Sequence, residues 1–77
     1  MRIISVYTNN GLISLTAAEP KEEGSKEVLK YGVAQVYNPV TKSIDLEFTS
    51  YVPFESELPE RVKQTLTEML NVVLKEY

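Results

Sequence analysis

The segment "SIDLEFTS" sets two carboxylates, Asp45 and Glu47, two residues apart. In an extended strand that spacing puts both on one face, about 7 Å apart. Paired-carboxylate hydrolysis uses a separation of that order. Alternating acids are also what the wet face of any antiparallel strand carries, and no cleft is implied around this pair. The sequence holds no histidine and no cysteine, so acid–base and nucleophilic work would fall to carboxylates, Lys, Tyr or Ser. Ser5, Ser14 and Ser50 have no base within reach of the pattern. The expectation is a protein that is not an enzyme.

Metal and cofactor chemistry is equally thin. Glu19, Glu22 and Glu23 could offer oxygens to a hard cation, but Lys21 and Lys26 interrupt them and the EF-hand spacing is missing. Without Cys or His the usual zinc, haem and iron–sulfur ligand sets are gone. No glycine-rich phosphate loop exists, because Gly11, Gly24 and Gly32 stand apart. The expectation is no cofactor and no metal.

Tyrosines and bases suggest another chemistry. Tyr7, Tyr31, Tyr37 and Tyr51 could stack on nucleobases while Arg2, Lys30 and Lys42 meet phosphates. Against that stand 11 acids, 8 bases and a net charge of −3, whereas electrostatic nucleic-acid binding usually shows as a basic domain.

These side chains are positioned by five elements. "RIISVYTNNGLISLTA" (residues 2–17) reads as a β-hairpin about Asn10-Gly11, a pair suited to a type I′ turn. A two-residue loop pairs Asn9 with Leu12, Thr8 with Ile13, Val6 with Leu15 and Ile4 with Ala17. Residues 18–27, with Pro20, Gly24 and Ser25 among charges, read as a solvated loop. Residues 28–52 read as a second hairpin about "PVTK". A four-residue loop from Pro39 to Lys42 pairs Tyr37 with Ile44 and Val33 with Phe48. A five-residue loop would bring Val36, Ala34 and Gly32 to the dry face instead. The first buries the larger side chains and is preferred.

Residues 58–77 carry the helical period. Leu58, Val62, Leu66, Met69, Leu70, Val73, Leu74 and Tyr77 form one stripe. Pro59 suits the first turn, and Ser56 or Leu58 the N-cap. The resulting fold class is α+β, a single domain of order β-β-β-β-α. It is a four-stranded antiparallel sheet, drawn as two hairpins, with the C-terminal amphipathic helix packed on one face. In its order of elements alone this is similar to the layout of PC4-like and Whirly single-strand binders; together with the rings and cations above it gives the alternative expectation of a single-stranded nucleic-acid binder using Arg2, Tyr7, Lys30, Lys42 and Tyr51.

One helix cannot cover both faces of a sheet. The second face then carries Ile3, Tyr7, Leu12, Val36 and Tyr51, while Val72 and Leu74 lie outside or at the edge of the helical stripe. These seven residues are the expected partner or dimer surface. At 77 residues a chain without disulfides or metal often gains stability from a second subunit. The sequence-based reading is therefore a small acidic, non-catalytic protein-interaction module, a homodimer with an accessory, regulatory or inhibitor role. No run of 18 apolar residues exists, and the N-terminus turns polar too early for a signal peptide. That sets the expectation of no membrane partner and a cytoplasmic location.

Overall fold

The computed structural model describes residues 1–51 and 58–76. The chain forms β1 (Arg2–Asn9), β2 (Leu12–Pro20), β3 (Val28–Asn38), β4 (Ser43–Ser50) and α1 (Glu60–Glu76). All four strands belong to one antiparallel sheet in the order β1-β2-β3-β4. Both expected hairpins are present, and the β2–β3 pairing joins them into a meander.

The first turn follows from its two residues. Asn10 and Gly11 both adopt positive φ, 53° and 80°, as a type I′ turn requires. Asn9 faces Leu12, Thr8 faces Ile13 and Val6 faces Leu15, as the pattern predicts. Beyond Ser5 the register shifts at a β-bulge, and Ile3 rather than Ile4 opposes Ala17. The extra residue in the bulge changes which side chains share a face. Ile3 therefore moves to the helix side of the sheet, a correction to its expected place on the second face.

β2 runs further than its composition suggests. Ala18, Glu19 and Pro20 pair with Lys30, Leu29 and Val28, so the connecting loop shrinks to residues 21–27. Pro20 is tolerated because it ends the strand. The loop closes on itself: Lys21 N–H donates to the Glu27 carbonyl at 2.9 Å and Ser25 N–H to the Glu22 carbonyl at 3.0 Å. At the opposite end the β2–β3 ladder stops at Ser14 and Ala34. One residue on, the Ile13 N–H donates to Gln35 Oε1 at 2.9 Å. A side-chain amide thus takes over where the backbone ladder ends, which explains the one polar residue on a dry strand face.

The second hairpin takes the four-residue loop. Tyr37 faces Ile44 and Val33 faces Phe48. Asn38 organises the turn: its Oδ1 accepts from the N–H of Val40 at 3.0 Å, and its carbonyl from the N–H of Lys42 at 2.8 Å. Lys42 pays for the closure with a φ of 57°.

In α1 the N-cap differs from expectation. The Pro59 carbonyl accepts from the N–H groups of Val62 and Lys63, at 3.0 and 3.2 Å. Pro59 therefore occupies the cap position expected of Ser56 or Leu58, and Glu60 is the first helical residue. Ser56, Tyr77 and the end of the second hairpin at Val52 lie outside the described residues. Val62, Leu66, Leu70 and Val73 are buried. They pack on Ile13, Leu15, Ala17, Tyr31 and Val33, with Met1, Leu29, Phe48, Leu58 and Met69 around the margin. Arg61 ties the first helical turn to β2 by a two-pronged bond, Nη1 to Glu19 Oε2 at 3.2 Å and Nη2 to Oε1 at 3.1 Å.

Candidate protein-interaction surfaces

A helix with side chains is about 10–12 Å across, whereas four strands spaced about 4.8 Å apart present a floor nearly twice as wide. α1 lies over β2 and β3. The helix-side residues of the two outer strands are consequently left uncovered. On one flank these are Ile3 and Val6 of β1, on the other Ile44 and Leu46 of β4, with Tyr37 of β3 beside them, all exposed.

The β4 flank has the more developed shape. A trough of about 460 Å³ runs between β4 and α1, lined by Leu46, Phe48, Glu60, Lys63, Gln64, Thr67 and Glu68. Its floor is apolar and strand-borne; its far wall is the polar side of the helix. The Thr67 hydroxyl already donates to the Lys63 carbonyl at 2.8 Å. The wall's charges, Glu60, Lys63 and Glu68, are mixed in sign. Such a site suits apolar side chains with a polar margin, the ordinary anatomy of a protein contact.

The second face of the sheet is built differently. Opposed residues share a face, so the register sets out rows across it. Arg2, Ala18 and Lys30 form one row, and Tyr51 joins it by donating its N–H to the Lys30 carbonyl at 3.0 Å. Ser5, Thr16, Gly32 and Thr49 form the next, then Tyr7, Ser14, Ala34 and Glu47. The Tyr51 ring lies over Gly32, 3.5 Å from where a β-carbon would stand. The middle of this face is made of small side chains, with Tyr7 and Tyr51 exposed at its flanks.

Of the seven residues expected at a partner surface, Tyr7, Leu12, Val36 and Tyr51 share this face. Val72 and Leu74 are exposed on the helix. Ile3 is on the other side, for the reason given. Of the nucleic-acid set, Arg2, Lys30 and Tyr51 come together. Lys42 does not: it sits in the second turn, next to the Asn38–Ser43 pair and about eight residues, roughly 27 Å, along β3 from Lys30.

Asp45 and Glu47 do share a face of β4. Asp45 is engaged in the turn, accepting from Asn38 Nδ2 at 3.2 Å and from the Ser43 hydroxyl at 3.4 Å. Glu19 leaves the acidic trio of its loop and faces α1. The bond to Glu19, and then its charge, raise the Arg61 pKa above its usual value. Among the described residues no group of three His, Cys, Asp or Glu side chains gathers as a metal site. Nor is any helix among them long and apolar enough to cross a membrane.

Val6, Tyr37, Ile44 and Leu46 are surface residues that pattern reasoning assigned to the core. The period-2 alternation marks them as dry-side correctly. What it lacks is the width of the covering element, and comparing one helix with four strands would have supplied that. Comparison with known proteins finds no family model, no curated protein and no solved structure that matches the chain.

Proposed function

We propose that this chain is a non-catalytic protein-interaction module, acting as a homodimer in an accessory, regulatory or inhibitor role. Its partner-binding site is the trough between β4 and α1. The observation that carries this reading is the uncovered apolar strip of Tyr37, Ile44 and Leu46, continued by half-buried Phe48. Three alternate β4 residues, Ile44, Leu46 and Phe48, follow one another about 7 Å apart along the strand, so the matching ligand is a segment with apolar side chains at a similar repeat. Burial of such side chains drives association with little dependence on salt.

The test is comparative capture from the source cells with the wild type, Leu46→Glu and Tyr51→Ala, each first checked by circular dichroism. A protein held by the wild type and Tyr51→Ala but lost by Leu46→Glu supports the trough, once the purified pair reproduces that order. Equal retention by all three variants overturns it.

A second reading, binding of single-stranded nucleic acid, is favoured by the row of Arg2, Lys30 and Tyr51 on the second face. That arrangement offers two cations beside a ring, though Glu47 and Asp45 share the same face. Oligonucleotide binding that weakens steeply with salt and falls in Lys30→Ala would select it. No binding at low ionic strength would end it.

A further inference from the structure

The two edges of the sheet differ in a way that bears on what a second copy can do. An exposed edge presents unpaired N–H and C=O groups, and proteins commonly block such edges with charge. β4 carries Asp45 and Glu47 on one face. Self-pairing of β4 about Leu46 would set Asp45 opposite Glu47 twice over, and pairing about Glu47 would oppose two glutamates; like charges directly opposite are destabilising. β1 carries no charge from Ile3 to Asn9, and all of its residues are exposed. Its one irregularity is the bulge between Ile3 and Ser5, which leaves Ser5–Asn9 as a regular five-residue edge with Tyr7 at its centre.

The turn fixes which backbone groups are free on that edge. In a two-residue hairpin the residues flanking the loop form a hydrogen-bonded pair, so Asn9, Tyr7 and Ser5 turn their backbone groups toward β2. Those of Thr8 and Val6 point outward. An antiparallel copy centred on Tyr7 then pairs Val6 with Thr8 of the second copy and Thr8 with its Val6. The two Tyr7 residues meet as the close, non-hydrogen-bonded pair in which cross-strand aromatic contacts are favourable. No charge is opposed, and the bulge stays clear of the seam.

The chain exposes 5791 Å², whereas a compact monomer of its 8.7 kDa exposes about 4,700 Å². It carries more open surface than its mass requires, and the β1 edge, exposed along its whole length, is part of it.

We infer that β1 is the dimer seam. Two copies join edge to edge across a two-fold axis at Tyr7, forming a continuous eight-stranded antiparallel sheet with both helices on one side. This deepens the reading of a dimeric interaction module by naming the contact. It is separable from the trough, because Tyr7 and Leu46 lie on opposite edges and opposite faces.

The experiment uses the full chain, which contains no natural cysteine. Tyr7→Cys and Ser5→Cys are each oxidised and run on a non-reducing gel, while wild type and Tyr7→Lys are compared by sedimentation equilibrium. Non-hydrogen-bonded antiparallel partners stand about 4.5 Å apart at Cα, within disulfide range. Two Ser5 residues in this register are about 13 Å apart along the strands. The expected result is a wild-type dimer, a covalent dimer from Tyr7→Cys at least tenfold faster than from Ser5→Cys, and a folded Tyr7→Lys monomer. A wild type that stays monomeric overturns the inference, as does a dimer in which the two cysteine variants link equally slowly. If Tyr7→Lys fails to fold, the cysteine pair decides alone. A Tyr7→Lys monomer that still binds a trough partner keeps the module reading; a wild-type dimer with no trough partner leaves only the seam.

Discussion

At the scale of single residues, three positions make distinct demands. Gln35 supplies the acceptor for the Ile13 N–H. Gln35→Met keeps the length of the side chain but removes the acceptor, and a partly buried donor left without one costs about 1–2 kcal/mol. Urea unfolding should show a midpoint lowered accordingly, with an unchanged slope. Gly32 lies mid-strand, and an added β-carbon would make only ordinary contacts, 3.5 Å to the Tyr51 ring and 3.6 Å to the Leu15 carbonyl. Gly32→Ala should therefore stabilise by about 0.4–1 kcal/mol, chiefly by restricting the unfolded chain, and raise the melting temperature by a few degrees. Arg61 tests pH. Its pKa is raised above the ordinary guanidinium value by the bond to Glu19 and that group's charge. A raised folded pKa gives a contribution fully present below the unfolded value and lost only as pH climbs through the folded one. The loss of melting temperature in Arg61→Gln should thus be equal at pH 6 and pH 9, and smaller in 1 M salt because the guanidinium is exposed.

At the scale of elements, the helix and the hairpins were largely legible in the sequence. The stripe of Val62, Leu66, Leu70 and Val73 is the buried face of α1, and Asn10-Gly11 sets a turn that only a pair tolerant of positive φ can make. The register of the second hairpin followed from the size of the side chains it buries. Three local features were not legible. A bulge at Ile4 leaves no mark in a run of β-branched residues. Glu19 and Pro20 look like loop residues until their partners, Leu29 and Val28, are known. Pro59 as N-cap cannot be told from Pro59 one position later without the hydrogen bonds. For the helix itself the expected outcome is sharp. Leu66 has no exposed surface, so Leu66→Ala should cost about 3–5 kcal/mol. Val72 is 56% exposed, and Val72→Ala should stay within about 0.5 kcal/mol. Thermal melts of the two variants side by side would check the placement of the stripe.

At the scale of the whole molecule, the candidate sites arise from a mismatch between one helix and four strands. The chain measures 42 × 28 × 19 Å, and its radius of gyration of 13.2 Å exceeds the roughly 11.5 Å of a compact domain of this length. Sequence pattern reports which side of a strand is apolar; it does not report how much of that side a neighbour reaches. That is why the helix-covered parts of β2 and β3 match their expected place in the core, whereas Val6, Tyr37, Ile44 and Leu46, expected on the same dry side, lie at the surface. If β1 joins two copies, folding and association are linked by mass action. The melting temperature of the wild type should then rise with protein concentration over a hundredfold range, and that of Tyr7→Lys should not. In such a dimer the helix axes stand about four strand spacings, some 19 Å, apart, leaving an open strip of floor from Ile3 and Val6 of each copy.

The handover from backbone to side chain at Gln35 has a consequence in time. Past Ser14 and Ala34 the two hairpins share no backbone ladder, only the Ile13–Gln35 side-chain bond, so beyond it their tips rest on their own cross-strand bonds and turns. Backbone amides of Asn9–Leu12 and of Val36–Ile44 can open without disturbing the helix-covered centre. Deuterium should enter these two ends by separate local openings, long before it reaches the amides of Leu15, Ala17 and Val33, whose release requires the whole sheet to come apart.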